Sequence, residues 1–459
     1  MPGISSPGLG SGLDVNGLVT KLMALEQKPL TALASKEASF QAKLSAFGSL
    51  KGALSALQTA AKSLTSANTF TGMSASASDT TVLTASGDAT AVAGTYDIAV
   101  SKLAKANTVR SNVNFGTDSF DSGTLRVTIG SGTGVDIELT GVVTLAGIRD
   151  AINTGNAGAS AAIINDGTAD RLVLTSKTTG SAGNITVQAP TTNGDGARRL
   201  TDLISASLVE VQPAQNAELT INGLAVSRSS NTISDAIAGV TLNLIKADAT
   251  TPPSTKLTVA RDTATVKNAI DTFVNAYNTA AKLLRDTSAY NAAAKQGSIL
   301  TGDSAVRNLQ SLLISNAQAR ISGLSGNIGT LSDIGIAVQK DGTLLTDSAK
   351  LSAALKDTSK DVGSLFTSTA TGNQGIAVRF SEALTAAVSA SGPISSRTEG
   401  IGSSIKEINK QREAINSRLA SIEKRYRAQF TALDTLISSM QQTSSYLTQQ
   451  LTSLQSLNK

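Results

Sequence analysis

The side chains that carry most enzyme chemistry are missing: the 459 residues include no His, no Cys and no Trp. Without imidazole or thiol a chain has no Ser-His-Asp triad, cysteine nucleophile, zinc finger, haem ligand or disulfide. Catalysis would fall to carboxylates, lysine, tyrosine or a Ser/Lys pair. Gly8-Leu9-Gly10-Ser11-Gly12 has the glycines of a phosphate-cradling loop. No strand precedes it and its spacing is incomplete, so it reads as a leader. Asp166-Gly167 with Asp170 has the start of a calcium loop, but no closing bidentate Glu follows at the required distance, which leaves a turn. Asp341-Gly342 also reads as a turn, and Gly302-Asp303 as a helix cap. No catalytic, cofactor-binding or metal-ligating residue is assigned, and a non-enzymatic protein is expected. The enzymatic alternative, a carboxylate glycosidase, needs two Asp or Glu about 5 to 10 Å apart in a cleft.

The elements that would hold any site fall in the order helix, β, helix. Leu18, Leu22 and Leu25, then Phe40, Leu44, Phe47, Leu50, Leu54, Leu57 and Leu64, recur at helical steps of three and four. Pro29 removes a backbone donor, so the spacing predicts two helices, 15–28 and 30–66, the first capped by Asp14. Past Asn68 the texture turns to Thr, Ser, Gly and β-branched residues, and Tyr96, Ile98, Val100 and Leu125, Val127, Ile129 alternate as strands do. Asn222-Gly223 supplies the positive φ angles of a type I′ hairpin that sets Ile221 opposite Leu224 and Leu219 opposite Val226. A short helix is expected over Thr144–Asn153, with strands Ala161–Asn165 and Arg171–Ser176 after it and loops at Pro190–Arg198 and Pro252-Pro253. Helical spacing returns with Val266, Ile270, Phe273, Tyr277 and Leu284, then after Asp303 and Asp347, around a small hairpin at Ile336–Val338 and Leu344-Leu345.

From Gly400 the steps lengthen into a coiled-coil seam: Ile405, Ile408, Ile415, Leu419, Ile422 and Tyr426, continued by Phe430, Leu433, Ile437, Met440, Leu447, Leu451 and Leu454. The four-residue step from Tyr426 to Phe430 is a stutter that relaxes the supercoil, and Arg412 and Ser444 sit in the seam and weaken it. Thr435 to Asn458 carries no charge, which points to a face that touches other protein, the alternative being a frayed, disordered tail. Burying Leu18, Leu22 and Leu25 yields on the order of 1.5 to 3 kcal/mol each. Ordering about a dozen backbone residues costs roughly 1 to 2 kcal/mol apiece, so the first helix needs the last one, and both ends are expected to order fully only in an assembly. Thirty-nine basic and thirty-four acidic residues leave +5, with 3% aromatics to stack on bases, so no nucleic-acid partner is expected. No run approaches the roughly 18 apolar residues of a spanning helix, and Met1–Gly12 lacks the pattern of a cleavable signal.

The ends then become familiar. Gly10-Ser11-Gly12-Leu13-Asp14, Leu22, Glu26 and Lys28-Pro29-Leu30 resemble the opening of the flagellar hook-associated protein 2 family, the filament cap proteins. Gly94-Thr95-Tyr96 through Val100, Leu103 and Ala104 is similar to that family's first β segment. Leu145 to Ser176, with Ala151-Ile152-Asn153 and Asn165-Asp166-Gly167, resembles a repeat of hook-associated proteins and some flagellins. Asn222-Gly223, Ser230-Asn231-Thr232-Ile233, Gly239-Val240-Thr241-Leu242, Gly302-Asp303, Ile334-Gly335-Ile336, Asp341-Gly342-Thr343-Leu344, Leu365-Phe366, Phe430, Leu433 and Met440 continue the likeness.

The resemblance implies an α+β multidomain chain whose two ends together form terminal coiled-coil helices and a helical domain, with nested antiparallel β domains inserted between them. Expected boundaries are 1–38 with 425–459 for the coiled-coil legs and 39–70 with 262–424 for the helical domain. The inner β domain is expected at 71–106 with 212–261, and the outer one, with its short helix, at 107–211. It implies a structural cap at the distal tip of the bacterial flagellar filament, outside the cell and exported without a cleaved signal. There it retains exported flagellin and promotes its folding and insertion. Implied partners are a ring of its own copies, flagellin, hook-filament junction proteins and an export chaperone, with no membrane insertion and no cofactor. The expected oligomer or filament contacts are Leu18, Leu22, Leu25, Leu419, Ile422, Tyr426, Phe430, Leu433, Ile437, Met440, Leu447, Leu451 and Leu454. The competing readings are an adhesin binding host mucin or glycans through its β domains, and a hook-filament junction protein.

Overall fold

A computed structural model describes residues 14–112, 115, 117–141 and 143–457, the side chains of 454–457 excepted. The glycine-rich leader Gly8–Gly12 lies outside the described residues. The chain forms two compact units, one from residues up to Ala67 together with those from Val266 onward, the other from Asn68 to Thr265.

The first unit opens with α1 (Val15–Glu26) and α2 (Lys28–Ser63). The predicted break at Pro29 is a one-residue interruption at Gln27, with the proline in the first turn of α2, where its missing N–H would have no helical partner in any case. The second unit begins within the one-turn α3 (Ala67–Thr71) and continues with β1 (Met73–Ala77), β2 (Leu83–Gly87) and β3 (Gly94–Lys102). β4 (Ala106–Ser111), β5 (Gly123–Ile129) and β6 (Val135–Leu139) lead into α4 (Leu145–Thr154). Next come β7 (Ala159–Asn165), β8 (Asp170–Thr179), β9 (Ile185–Thr192) and β10 (Leu208–Gln212). β11 (Ala217–Ile221), β12 (Leu224–Arg228), β13 (Thr232–Ile237), β14 (Val240–Leu244) and β15 (Ser254–Arg261) close the unit.

Two hydrophobic cores fill this β unit. The five-stranded sheet β1-β15-β3-β11-β12 and the three-stranded β13-β14-β2 surround one that includes Ile98, Val100, Leu219, Leu242 and Leu257. The four-stranded β10-β4-β8-β7 and the three-stranded β6-β5-β9 surround another that includes Phe120, Val127, Ile148, Leu174 and Leu200. Strands such as β15 bury every second residue, as the pleat requires of a sheet with one covered face. The β11-β12 hairpin has the predicted register, Ile221 opposite Leu224 and Leu219 opposite Val226. Its turn needs φ of 49° at Asn222 and 81° at Gly223. Thr144 caps α4 by accepting from the Gly147 N–H.

One loop boundary is corrected. Pro190 is not in a loop but inside β9, where Thr191 pairs with Thr124 and Gln188 with Arg126. Ala189 and Pro190 therefore share the place opposite Leu125. A bulge asks no ladder hydrogen bond of its extra residue, so a proline fits there without loss.

The first unit resumes with α5 (Thr263–Ser288) and α6 (Ser304–Ala317). The hairpin Ile336–Val338 with Leu344–Thr346 follows, then α7 (Ser348–Lys356), α8 (Val362–Thr367), α9 (Ile376–Val388) and α10 (Pro393–Leu457). All five predicted apolar positions of α5 are buried, and Asp303 and Asp347 cap α6 and α7 through their carboxylates. Phe273 and Tyr277 of α5 meet Phe380 of α9 edge to face, with centroids 5.2 and 5.9 Å apart. Phe47, Leu50, Leu54 and Leu57 of α2 are fully buried, and Gln58 Nε2 donates to Thr385 Oγ1 of α9 at 2.8 Å.

Candidate assembly surface of the terminal helices

Asp14 starts α1 by accepting from the Gly17 N–H at 2.8 Å. A helix of 12 residues is too short to hold itself in water, and it is held by packing Val15, Val19 and Met23 against Leu419 and Ile422 of α10. Leu30, Ile415, Tyr426 and Phe430 close the edges of that cluster. The face is not the predicted one. Leu18 is 38% exposed and Leu25 59%, with Leu22 half-buried. The helix carries two apolar stripes, Val15-Val19-Met23 and Leu18-Leu22-Leu25, and its own chain covers the first. The i, i+4, i+8 spacing of Val15, Val19 and Met23 is the sequence signal for the covered face.

On α10 the expected seam divides in two. Leu419 and Ile422 are buried, and Tyr426 and Phe430 are half-buried. Beyond them Ile437 is half-buried, whereas Leu433, Met440, Leu447 and Leu451 are between 41% and 64% exposed. The Leu454 side chain lies outside the described residues. Leu436 and Tyr446, which the heptad count passed over, are exposed beside them at 56% and 61%. The structure thus brings Leu419, Ile422, Tyr426 and Phe430 together with α1 and leaves the distal positions facing out.

Polar side chains tie the same helices. Arg427 donates to Asn16 Oδ1 at 3.0 Å and to Glu423 Oε1 at 2.8 Å. Arg412 is not the simple weak point its place in the seam suggested: its Nη1 pairs with Glu37 Oε2 of α2 at 2.5 Å. Its Nε is buried without a partner. Nothing in the spacing of α2 distinguished Glu37 from a solvated charge. The other acidic turns serve the backbone. Asp166 accepts from the Thr168 hydroxyl and the Arg171 guanidinium, which hold its carboxyl far below the usual range. Asp341 is lowered chiefly by the Thr343 hydroxyl. Among the described residues no group of three or more acidic side chains could hold a metal, and no helix is long and apolar enough to cross a membrane.

The family models for the N-terminus and C-terminus of flagellar hook-associated protein 2 match residues 11–107 and 214–442. The flagellar hook-associated protein 2 of Escherichia coli is 38% identical over 473 residues, covering 98% of each chain. The chain belongs to the flagellar hook-associated protein 2 family. The A-type flagellar hook-associated protein 2 of Pseudomonas aeruginosa is 35% identical, again over 98% of each chain. The crystal structure of the D1-D2-D3 domains of the flagellar cap protein FliD from Escherichia coli superposes with a TM-score of 0.59 at 34% identity, over 78% of this chain and 99% of that one. Between the two family models lie residues 108–213, the stretch that supplies the core around Phe120 and Ile148.

Proposed function

We propose that this protein is the structural cap of a bacterial flagellar filament, sited at the distal tip outside the cell, and that it acts without catalysis. It retains flagellin delivered by export and promotes its folding and insertion. The observation that carries the reading is the match to the hook-associated protein 2 family along 98% of the chain, joined to two uncovered apolar stripes. These are Leu18 with Leu25 on α1, and Leu433, Met440, Leu447 and Leu451 on α10. A helix that keeps its leucines in water is poised to bury them on another protein. The partners are further copies in a ring, flagellin and the hook-filament junction proteins, with an export chaperone before passage.

In this reading 1–38 with 425–459 form the legs, 39–70 with 262–424 the helical domain, 71–106 with 212–261 the inner β domain and 107–211 the outer one. Deleting the gene and measuring flagellin in the medium tests the proposal. Unpolymerised flagellin should accumulate while filaments stay short, and complementation should restore retention. A deletion strain with full-length filaments and no free flagellin would overturn it.

A further inference from the structure

Where α1 packs on α10, the two helices carry charge that their own chain leaves unneutralised. Residues 14–30 and 414–430 hold six basic side chains against three acidic ones. All three carboxylates are engaged. Asp14 accepts from the Gly17 N–H at 2.8 Å, Glu26 from the Tyr426 hydroxyl at 3.4 Å, and Glu423 from the Arg427 guanidinium at 2.8 Å. Lys21, Lys28, Arg418, Lys424 and Arg425 are exposed, and among the described residues none of the five pairs with a carboxylate. Arg425 lies over the Tyr426 ring, 5.7 Å from its centroid.

The excess is local. Asn68–Thr265 has thirteen basic and seventeen acidic residues, so the β unit leans the other way. Thr435–Asn458 carries no charge, so on α10 the cations end just before the uncovered stripe of Leu433, Met440, Leu447 and Leu451 begins. That lengthwise separation argues against a lipid surface, because a helix lying on an anionic bilayer carries Lys and Arg along the polar face bordering its apolar one. A polyanion such as nucleic acid would meet the cations and leave the apolar stripe in water. A second copy in level register would set like charges against each other.

Building on the cap reading, we propose that this belt recognises an acidic helical polypeptide. Its carboxylates meet Lys21, Lys28, Arg418, Lys424 and Arg425, and its apolar residues cover the stripe beyond them. Exposed ion pairs hold weakly one by one, so the belt acts chiefly by steering the partner and fixing its register, while the stripe supplies the buried area.

Fluorescence anisotropy tests this with two labelled synthetic helices that share leucine heptads and differ in having Glu or Lys on their flanks, each titrated onto the full chain. The Glu helix should bind about tenfold tighter than the Lys helix at about 50 mM NaCl, and the gap should shrink to about threefold or less at about 500 mM as salt screens the charges. The triple substitution Arg418→Gln, Lys424→Gln and Arg425→Gln should weaken the Glu helix about fivefold or more with an unchanged circular dichroism spectrum. The same change at Lys340, Lys350 and Lys356, exposed residues of the helical unit, should leave its affinity within about twofold. Should the triple variant fail to fold, Lys21→Gln with Lys28→Gln removes the α1 half of the belt and should weaken the Glu helix in the same direction. Equal binding of the two helices, a Glu preference that survives removal of the belt, or tighter saturable binding to phosphatidylglycerol vesicles or duplex DNA than to the Glu helix overturns the proposal. Because these titrations use no cells, their failure is separate from that of the cap reading, which the flagellin-release measurement decides.

Discussion

Arg412 Nη1 lies 2.5 Å from Glu37 Oε2, joining α10 to α2. Their side chains are 38% and 21% exposed, so the pair is only partly withdrawn from water. Arg412→Leu should cost about 1 kcal/mol by stranding the Glu37 carboxylate, and Glu37→Leu slightly more, since Arg412 already has an unpartnered Nε. Replacing both with leucine should recover wild-type stability to within about 0.5 kcal/mol or exceed it. Urea denaturation of the four proteins measures the coupling; strictly additive losses would show that the pair is incidental.

The two stripes of α1 should separate folding from assembly. Val19→Asp should release α1 from α10 in the isolated chain and expose the N-terminal segment to limited proteolysis. Leu25→Asp, on a residue 59% exposed, should leave the monomer's helicity and protease pattern unchanged yet shed flagellin from cells. Equal proteolysis of both variants would refute the division.

Within the β unit, Asn231 accepts from the Ala104 N–H at 2.7 Å and donates to the Ala104 carbonyl at 3.0 Å. Asn231→Ala leaves both backbone groups short of a partner and should destabilise by about 2 kcal/mol. Gly180 is stricter: it sits at φ +90°, and a Cβ there would lie 2.5 Å from the Ser229 Cα. Gly180→Val should therefore cost more than Asn231→Ala, and thermal melts that rank them the other way would contradict this close approach.

Acid should weaken the same unit. Asp166, Asp121 and Asp195 are all held below the ordinary carboxylate value, by Thr168, Thr192 and Ser122 hydroxyls respectively. A folded-state value below the unfolded one contributes stability above about pH 4, which fades as pH falls through the lowered values. Asp166→Asn should lower stability at neutral pH, where the charged carboxylate contributes, and flatten the acid limb between about pH 4 and pH 2, as followed by circular dichroism. An unchanged acid limb would rule out this source of the pH dependence.

Much of the fold was legible because local chemistry and global packing agree. Asn222-Gly223 forces its hairpin, Thr144, Asp303 and Asp347 open their helices, and the α5 stripe is the buried one. What could not be read lies where two answers satisfy the same period. α1 offers two apolar stripes, and choosing between them needs the shape of α10. Pro190 signals a break unless a bulge excuses its missing donor, and a bulge is set by the partner strand. Glu37 and Arg412 are separated by 375 residues, so no local pattern couples them.

The waist of the β unit has a mechanical consequence. The chain passes between the two cores at 103–107 and again at 212–216. Lys105 and Gln215 exchange backbone hydrogen bonds there, while Gln212 and Gln215 amides donate to the Ala106 and Leu103 carbonyls. Asn216 links Ser181 to Ser227 alongside. Such a joint cannot swivel on a single bond: a torque applied at one end has to shear several strong contacts together or be transmitted whole to the other. Load passing from one core to the other therefore has to cross these contacts together.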